Sequence, residues 1–515
     1  MLEAVTKKRS LDFEQGSPEI GIIGAGVMGR GIAQVAVLAG LPVRLYDVDG
    51  DKCGTAIVFI RDMLARSVAK KAITQMQAEQ ALGRLRVTSD LDHMRGASLV
   101  IEAIVEDLGA KQSLMRALEE VVGADCAFAT NTSSLMVTAI AAGCRRPDRV
   151  AGLHFFNPVP LMKLVEVVPG QHTAAQLIPA LCGFVRRLGH TPVVASDSPG
   201  FLVNHAGRGL YTEGLRIVAE GIASPHDVDK LMRDAAGFRM GPFELFDLTG
   251  LDVSYSVLQQ IYHQFFEEPR FRPAPFLTRQ HAAGLYGRKV GRGFYEYRDQ
   301  TIVVPPDPAP QSWEAKPIWV HAGEADCGRR VRQRLAELRL PIDDATSPGP
   351  DSICLVTPLG VDATTAAVAN DLDPERTIAI DPLFGLQSRC TLMTNVVTRS
   401  DVRHALHGML LQAGLKVTVI HDSPGFVCQR VVASIVNIAC DIAQQRVASP
   451  ADIDIAVRLG LGYPEGPLAL GDRIGAKTIL TVLDRMTEFY GDPRYRASPW
   501  LRRRAQLGAS LKTPE

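Results

Sequence analysis

Two groups of residues have types and spacing that suit ligand binding or catalysis. The first is the sequence GAGVMG at residues 24–29, which lies between a short apolar run and a helical pattern. Gly24 would permit a tight turn, Gly26 would let the backbone approach a pyrophosphate, and Gly29 would let the helix pack close to the strand. The helix N-terminus, at Val27 and Met28, would offer its unpaired N–H groups to the phosphates. This pattern predicts a dinucleotide-binding turn; the alternative is an ordinary glycine-rich loop.

An acidic residue in the expected place supports the dinucleotide interpretation. Asp47 follows the strand predicted over residues 41–46. At that position its carboxylate would accept hydrogen bonds from both ribose hydroxyls of an adenosine. The same charge would repel a 2′-phosphate, so the sequence favours NAD over NADP.

The second group is His154 with Glu166. His154 follows the strand predicted over residues 150–153, and taken alone it would more often be a core histidine. Glu166 interrupts an apolar run, where an unpaired carboxylate would be costly to bury, so it predicts a polar partner. A carboxylate beside an imidazole would hold one tautomer and favour the protonated ring. That pair suits a group that accepts a proton from an alcohol as hydride leaves.

These side chains need a doubly wound α/β sheet to bring them together. Short apolar runs at residues 19–23, 98–104, 126–130 and 150–153 predict buried parallel strands. Polar residues follow each of them, and the carboxyl ends of parallel strands meet at one edge of such a sheet. We therefore expect one cleft that contains both the glycine turn and His154.

The chain contains an internal repeat that sets its domain organisation. Residues 197–250 align without gaps with residues 422–475, and about a third of the positions are identical, including DSPGF at the start of each copy. The predicted fold is an α/β Rossmann-type domain plus an all-α domain, followed by a degenerate, truncated repeat of the same pair. The predicted boundaries are a disordered tail (1–17), an NAD-binding domain (18–196), a helical substrate and dimerisation domain (197–298), a Pro-rich linker (299–316), a truncated α/β domain (317–421) and a second helical domain (422–515).

Composition excludes several other classes of protein. The 515 residues carry 56 Lys plus Arg and 56 Asp plus Glu, so the balance of charge does not favour nucleic acid or an anionic membrane as a partner. No apolar run is long enough to span a bilayer, and no secretory signal pattern is present, which predicts a cytoplasmic protein. The nine cysteines form no C-x-x-C pair and do not cluster with histidine, so no metal site is expected.

At this point the sequence resembles a known family, the L-3-hydroxyacyl-CoA dehydrogenases. The resemblance is carried by GIIGAGVMGRGIAQVAVLAG, VIEAIVEDLGAK, TNTSSL, RVAGLHFFNPVPLMKLVEVV, DSPGFLVN and GRKVGRGFYEY, which occur in the family's order over residues 20–297. The two-module length is similar to the long bacterial forms, which include the 3-hydroxyadipyl-CoA and 3-hydroxybutyryl-CoA dehydrogenases of phenylacetate and fatty acid metabolism. The resemblance implies reversible, NAD-dependent oxidation of an L-3-hydroxyacyl-CoA to the 3-ketoacyl-CoA.

The resemblance also implies roles for individual residues. His154 matches the family's general acid/base and Glu166 the residue that orients it. Ser133 matches the serine near the substrate hydroxyl and the nicotinamide, and Asn204 the asparagine at the reacting end of the substrate. Four further positions match cofactor contacts, although each could equally be an ordinary surface or capping residue: Glu106, Lys111, Asn157 and Lys289.

The second module lacks the residues that would do this chemistry. The alignment places Asp381 at the position of His154 and Gln429 at that of Asn204, and no glutamate follows where Glu166 would be expected. We therefore expect one active site per chain. Family members with one helical domain dimerise through it, so we expect the two helical copies to pack on each other as an internal pseudo-dimer. A homodimer of the whole chain, or a tethered second module that binds another partner, is the alternative.

Two other functions stay open at this stage. A 3-hydroxyacid dehydrogenase of another family would share the glycine turn but would need a catalytic lysine, against which HFFNP at 154–158 and Glu166 argue. A non-catalytic NAD-binding structural relative would retain His154 and Glu166 only as remnants. The length of the acyl chain cannot be inferred from the sequence.

Overall fold

The structure is a computed structural model that describes residues 13–308, 311–324 and 326–515. The chain folds into two compact units. The first comprises the described part of Met1–His205 together with Arg446–Leu461, and the second comprises Ala206–Gln445 with Gly462–Glu515. Among the described residues, no helix has both the length and the apolar character needed to cross a membrane.

The first unit is built on a sheet in the order β3-β2-β1-β4-β5-β6-β7-β8. All neighbouring strands are parallel except β6 and β7, which are antiparallel. The strands are β1 (Ile20–Ile23), β2 (Val43–Tyr46), β3 (Leu85–Thr88), β4 (Leu99–Glu102), β5 (Ala127–Thr130), β6 (Val150–Phe155), β7 (Leu164–Pro169) and β8 (Thr191–Val194). The order reverses at β1, so a crevice opens between the carboxyl ends of β1 and β4, where ligands of doubly wound sheets bind.

Helices cover both faces of this sheet. They are α1 (Val27–Leu38), α2 (Gly50–Ala69), α3 (Gln75–Gly83), α4 (Leu108–Val121), α5 (Val137–Ala141), α6 (Leu177–Arg187) and the short α7 (Val203–Ala206), with α17 (Pro450–Leu461) added from the end of the chain. Strands β1 and β4 are buried along their whole length, because both of their faces are covered.

The second unit contains a six-stranded sheet and a hairpin. The sheet order is β12-β11-β13-β14-β15-β16, with strands β11 (Ile318–Val320), β12 (Ile342–Asp343), β13 (Ile353–Val356), β14 (Thr377–Ile380), β15 (Arg389–Thr394) and β16 (Lys416–Ile420). The hairpin pairs β9 (Glu296–Arg298) with β10 (Thr301–Val303). Strand β10 therefore occupies part of the segment that the prolines predict as a linker.

The helices of the second unit belong to the sheet or to the two helical copies. They are α8 (Arg208–Ala219), α9 (Pro225–Asp234), α10 (Pro242–Thr249), α11 (Leu251–Gln264), α12 (Pro275–Ala282), α13 (Cys327–Glu337), α14 (Ala363–Ala369), α15 (Ser400–Gln412), α16 (Val427–Gln444), α18 (Pro467–Ile474), α19 (Ala476–Tyr490) and α20 (Pro499–Leu507). In each helical copy five helices follow the sheet along the chain, α8–α12 after the first sheet and α16–α20 after the second. The predicted repeat of an α/β region and a helical region is therefore confirmed.

The second α/β region is shorter because it lacks two strands and the helices around them. Strands β11 and β12 match β1 and β2, and β13–β16 match β5–β8. The segment equivalent to α2, α3, β3, β4 and α4 has no counterpart. As a result, β13 pairs directly with β11, whereas in the first sheet β4 lies between the corresponding strands. This missing segment is the physical basis of the truncation that the sequence predicts.

The two helical copies pack on each other through α8 and α16. A Cβ atom on Gly209 would collide with the backbone of Ile435, so the two helices approach closely at this point. Arg430 of α16 is fully buried and donates to Glu213 of α8 (2.7 Å) and to Glu220 (3.0 Å). Its remaining donors reach the hydroxyls of Tyr490 and Tyr495.

The N-terminal segment differs from the predicted disordered tail. The prediction for residues 1–12 lies outside the described residues. Phe13, however, is 2% exposed and belongs to the core of the first unit. Burying the apolar area of its ring is favourable, and this holds the segment against the core. Its carbonyl also accepts from Arg187, which ends α6.

Candidate active site

The glycine turn has the geometry that a bound dinucleotide requires. Gly24 has φ +102°, and a Cβ there would collide with the carbonyl oxygen of Ala103. A Cβ on Gly29 would collide with the carbonyl oxygen of Gly24, so the third glycine is needed for α1 to start this close to β1. Gly26 faces open space and is the N-cap of α1, with no side chain capping the helix. The first N–H groups of α1, at Val27 and Met28, are thus left for phosphate oxygens.

Asp47 lies at the carboxyl end of β2, beside this turn. Its Oδ2 accepts from the N–H of Ala25 (2.8 Å) and its Oδ1 from the N–H of Asp49 (3.0 Å). The carboxylate therefore holds the glycine turn against the end of β2. Each oxygen keeps acceptor capacity, since a carboxylate offers about four lone-pair directions, so it can also receive the ribose hydroxyls. The glycines, the uncapped helix and Asp47 together fit NAD.

His154 and Glu166 form a buried pair across two strands. They are directly opposite each other in the antiparallel ladder of β6 and β7, which is why a sequence separation of a dozen residues becomes a side-chain contact. His154 Nδ1 lies 2.5 Å from Glu166 Oε2. Glu166 is fully buried and His154 is 5% exposed. Because a carboxylate only accepts, Nδ1 carries the proton and Nε2 presents its lone pair.

Glu166 also fixes the backbone that carries Asn204. Its Oε1 accepts from the N–H groups of Leu202 (3.0 Å) and Val203 (2.8 Å). Phe201, immediately before them, has φ +49°, a strained conformation for an aromatic residue. This turn lets one carboxylate hold the imidazole and the start of α7 together. It also places the Phe201 ring edge-on to His154, with centroids 5.7 Å apart.

Ser133 is held by Glu106 in the loop after β5. Glu106 Oε1 accepts from the Thr132 hydroxyl (2.7 Å), the Ser133 N–H (2.9 Å) and the Ser134 hydroxyl (2.8 Å). Burial alone would raise the pKa of Glu106, but these hydrogen bonds and the Lys111 ammonium lower it below the usual range. The Ser133 hydroxyl is 3.4 Å from the same oxygen. The geometry gives Glu106 the role of ordering this loop.

Lys111 lies inside the domain. It is 1% exposed, and its Nζ donates to Glu102 at 2.6 Å and lies 3.3 Å from Glu106. Glu102, at the end of β4, also accepts from the Thr130 hydroxyl at 2.7 Å. The sequence analysis missed Glu102 and Thr130. The available signal was a glutamate at the end of an apolar strand with a lysine nine residues later, in the first turn of the next helix.

The other two predicted cofactor contacts lie in different places. Asn157 is exposed and precedes Pro158, to which it is joined by a cis peptide bond in the loop after β6. Lys289 belongs to the second unit, where it pairs with Asp252. Neither has a geometry in the structure that assigns it to a cofactor, so both stay predictions.

Two structural contacts near the site were also not predicted from the sequence. Asp197, the first residue of DSPGF, accepts from the N–H groups of Val137 (2.9 Å) and Thr138 (2.7 Å), and so caps α5. Helix α17, although it belongs by sequence to the second helical copy, packs on the first unit. A Cβ on its Gly460 would lie 3.0 Å from Leu164 of β7 and from Val203 of α7. The second module therefore supports the elements that carry Glu166 and Asn204.

These features define a class of protein. A glycine turn, an acid at the end of β2 and a buried imidazole–carboxylate pair share the carboxyl edge of one doubly wound sheet. This arrangement is that of a nicotinamide-dependent dehydrogenase in which an imidazole exchanges a proton with an alcohol.

Comparison with known proteins gives the family. Residues 19–198 match the 3-hydroxyacyl-CoA dehydrogenase NAD-binding domain, and residues 200–297 and 425–514 match the C-terminal domain of the same family. The chain therefore belongs to the 3-hydroxyacyl-CoA dehydrogenase family. It is an enzyme that uses NAD to interconvert 3-hydroxyacyl-CoA and 3-ketoacyl-CoA.

Individual relatives include both long and short forms. The chain is 37% identical to 3-hydroxyadipyl-CoA dehydrogenase of Escherichia coli over 96% of this chain and 98% of that protein. It is 39% identical to the human mitochondrial hydroxyacyl-coenzyme A dehydrogenase over 54% of this chain and 90% of that one. The crystal structure of an E. coli 3-hydroxybutyryl-CoA dehydrogenase superimposes with a TM-score of 0.85 at 35% identity, covering 96% of this chain and 99% of that one.

The second module keeps the framework of this site without its chemistry. Asp381 follows β14 at the position of His154, and its N–H donates to Thr391, which stands where Glu166 would be. Gln429 donates to Asp381 Oδ1 at 3.0 Å. Burial raises the pKa of Asp381 to about 7. A fully buried carboxyl group that accepts from Gln429 and from the N–H of Leu383 does not replace an imidazole that exchanges protons with a substrate.

Proposed function

We propose that the chain oxidises L-3-hydroxyacyl-CoA at one active site, in the first unit, with His154 as the acid/base. The observation that carries this proposal is the contact of 2.5 Å between His154 Nδ1 and the buried Glu166. Because that contact uses Nδ1, it leaves Nε2 to take the proton of the substrate hydroxyl. The glycine turn and Asp47 support NAD as the partner of this reaction.

Each residue of the site has a distinct task in the proposed reaction. When bound, NAD supplies the hydride acceptor. His154 Nε2 receives the hydroxyl proton during oxidation and returns it during reduction of the ketone. Glu166 accepts from Nδ1 and stabilises the ring while it is positively charged. Ser133 and Asn204 hold the reacting oxygen, and Glu106 keeps the Ser133 loop ordered through its hydrogen bonds.

Substitution of His154 tests the proposal. His154→Gln keeps a polar side chain of similar size, but it has no group that accepts a proton near neutral pH. General acid–base catalysis contributes ~10²–10⁴-fold, so we expect kcat for acetoacetyl-CoA reduction to fall by at least that range. The dissociation constant for NADH should stay within about twofold, because the turn at residues 24–29 is untouched. Near-normal kcat in this variant would exclude His154 as the acid/base.

The length of the acyl chain is a separate part of the proposal, and kinetic measurements test it. The two relatives that span this whole chain are named for an adipyl and a butyryl group. We propose a short acyl chain, which both names share. The kcat/KM values over acyl-CoAs of graded length, with a dicarboxylic member, will rank the substrates. A preference for long chains would contradict the proposal.

We also propose that the second module acts as a built-in dimerisation partner. The support lies in the second unit, where α8 and α16 pack closely and Arg430 satisfies the buried Glu213. A further copy of the chain is not needed to cover α8. All nine cysteines are free, which supports the proposed cytoplasmic location, since disulfides are rare in reducing compartments.

A further inference from the structure

A second buried carboxylate lies beneath the loop that carries Ser133. Glu102 ends β4 and is fully buried. Its Oε1 accepts from the Ile104 N–H (2.7 Å) and from Lys111 Nζ (2.6 Å), and its Oε2 accepts from the Thr130 hydroxyl (2.7 Å). A buried carboxylate is costly unless donors such as these satisfy it. The proposed reaction gives this acid no task, so its presence here needs another explanation.

Lys111 connects Glu102 to Glu106. Its ammonium group is buried between the two acids, 2.6 Å from Glu102 and 3.3 Å from Glu106 Oε2. The other oxygen of Glu106, Oε1, accepts from the N–H groups of Ser133 (2.9 Å) and Ser134 (3.0 Å). One side of Glu106 therefore faces the ammonium and the other side faces the loop after β5. A shift of the ammonium toward Glu106 would draw this carboxylate away from the loop.

The two distances show which acid holds the ammonium. Hydrogen bonds from a charged nitrogen to a carboxylate are ~2.7–2.9 Å long. The contact of Lys111 with Glu102 is thus a full hydrogen bond, whereas its contact with Glu106 is longer than one. Glu102 therefore keeps the ammonium out of close contact with Glu106 and leaves Glu106 to bind the loop.

The second module, which has no counterpart of the reactive pair, also lacks this arrangement. Glu102 and Lys111 lie on β4 and α4, and both elements belong to the segment that has no equivalent in the second sheet. By the register of β5 and β13 against the strands that follow them, Val356 takes the place of Thr130. An apolar side chain thus replaces the hydroxyl where the acid is absent. The arrangement occurs in the module that has the reactive pair, as expected of residues that serve the reaction.

We propose that Glu102 is a positioning residue for the dehydrogenase reaction and acts on Ser133 through Lys111 and Glu106. Glu102 holds the ammonium, the ammonium stays clear of Glu106, and Glu106 holds the N–H groups of the loop. The role of Ser133 at the reacting oxygen, to which this leads, rests on the proposed function. The effect of Glu102 on the order of the loop does not.

Glu102→Gln tests the proposal because it can keep every hydrogen bond of the carboxylate. The amide oxygen can accept from Ile104 and Lys111, and the NH2 group can donate to the Thr130 hydroxyl, which rotates to accept. An amide oxygen is a weaker acceptor for an ammonium than a carboxylate oxygen, so the ammonium moves toward Glu106.

Hydrogen exchange of the full chain, measured by mass spectrometry, reports on the loop directly. In Glu102→Gln we expect the amide hydrogens of Ser133 and Ser134 to exchange about tenfold faster than in the parent. Glu119→Gln is the matched control, because Glu119 lies on α4 and also accepts from backbone N–H groups. It should leave the exchange of these two residues unchanged. Slow exchange in Glu102→Gln would overturn the proposal.

Removing the ammonium as well separates positioning from a purely structural role. In Glu102→Gln/Lys111→Met nothing draws Glu106 from the loop, so slow exchange should return. If Glu102 acted only through its other two donors, exchange would stay fast in the double variant. Thr130→Val, which removes one of those donors but leaves the ammonium in place, should also exchange slowly. Should Glu102→Gln be poorly folded, these two variants decide, since fast exchange in either one contradicts the proposal.

Steady-state kinetics show whether the order of the loop affects the reaction. Displacement of Ser133 in Glu102→Gln should lower kcat for acetoacetyl-CoA reduction by ~10–100-fold, because a misplaced group loses its effect on the reacting oxygen. Fast exchange with an unchanged kcat would overturn the link to Ser133. A parent chain that turns over no acyl-CoA substrate would refute the proposed function, and the exchange data would still decide whether Glu102 orders the loop.

Discussion

Glu166→Gln is the substitution that tests most directly how the active site works. The carboxylate makes contacts on both sides: Oε2 with His154 Nδ1, and Oε1 with the N–H groups of Leu202 and Val203. A glutamine has one oxygen and one amide nitrogen, so it can satisfy only one side. Facing the NH2 group toward both backbone donors would leave two buried N–H groups unpaired, at ~1–3 kcal/mol each. The oxygen therefore stays with the backbone and the NH2 group faces His154.

This orientation reverses which ring nitrogen of His154 carries the hydrogen. With an NH2 group beside it, Nδ1 must accept, so the hydrogen moves to Nε2 and the ring can no longer receive the substrate proton. An inverted tautomer of this kind lowers kcat by ~10⁴ in a hydrolase triad. We expect a fall of ~10³–10⁴, or about 4 to 5.5 kcal/mol in the activation free energy. A substitution cannot change the equilibrium constant of the reaction. The kcat/KM values for oxidation and for reduction should therefore fall by the same factor, once any change in the affinities for NAD and NADH is taken into account.

The assay is steady-state reduction of acetoacetyl-CoA by NADH, with NADH affinity measured separately by fluorescence. Glu119→Gln is the matched control, because Glu119 is also a carboxylate that accepts from two backbone N–H groups, those of Arg145 and Arg146. Its side chain lies on α4 and touches neither His154 nor Ser133. Glu166→Gln with kcat within tenfold of the parent, or a Glu119→Gln variant that is equally impaired, would refute the tautomer argument.

Three further outcomes follow from the structure. Asp47→Asn should lower the preference for NADH over NADPH, measured as the ratio of kcat/KM values, by ~10–100-fold, because the charge that repels a 2′-phosphate is lost. Arg430→Met should lower the apparent melting temperature of the full chain by several degrees, since it removes the guanidinium that donates to the buried Glu213 and leaves only Arg494, 4.0 Å away, at a cost of up to ~3–5 kcal/mol. Asp381→Asn should leave kcat unchanged and make the chain more stable at alkaline pH, by at most ~4 kcal/mol.

The sign of the Asp381 effect follows from its buried position. Burial raises the pKa of this carboxyl group to about 7. The stability it contributes is fully present below the pKa of an unfolded aspartate and is lost as pH rises through 7. The parent and Asp381→Asn should therefore melt alike only below about pH 4, diverge between about pH 4 and 7, and keep a constant difference at higher pH. Parallel pH profiles would contradict this account.

The other two predictions also have defined controls. For Arg430→Met, the companion change Glu213→Gln should recover part of the lost stability, because it removes the unpaired charge. If the loss of stability in the double variant equals the sum of the losses in the two single variants, the two side chains are not coupled. For Asp47→Asn, an unchanged ratio of the two kcat/KM values would show that Asp47 does not face the ribose.

Local chemistry explains which parts of the site could be predicted from sequence. The turn at residues 24–29 follows from what each glycine permits, and no distant residue is needed to recognise it. His154 and Glu166 could be paired because an acid within an apolar strand requires a partner. By contrast, Lys111 is typical of a surface residue on α4, and only the fold shows that Glu102 lies beneath it. Phe13 was missed for the same reason, since its burial depends on distant packing against the core.

The organisation of the fold was predictable in outline but not in its contacts. The repeated DSPGF sequence and the difference in length before each copy predict two modules, the second truncated. The identity of the missing strands depends on sheet order, which the sequence does not contain. The attachment of α17 to the first unit rests on the fit of Gly460 against Leu164 and Val203. Small residues at such a contact give no signal in sequence.

Comparison of the two modules separates residues that fold the chain from residues that do chemistry. Asp197 and Asp422 accept hydrogen bonds from the first N–H groups of α5 and α14, respectively. These two helices follow the equivalent strands β5 and β13. Their shared role is structural, and both copies retain it. His154 and Asp381 occupy the same position, yet only the first has a buried acid opposite it and a ring nitrogen left for a substrate. The second module therefore has no counterpart of the reactive pair, whereas its helices α16 and α17 still pack on α8 and β7 of the first module.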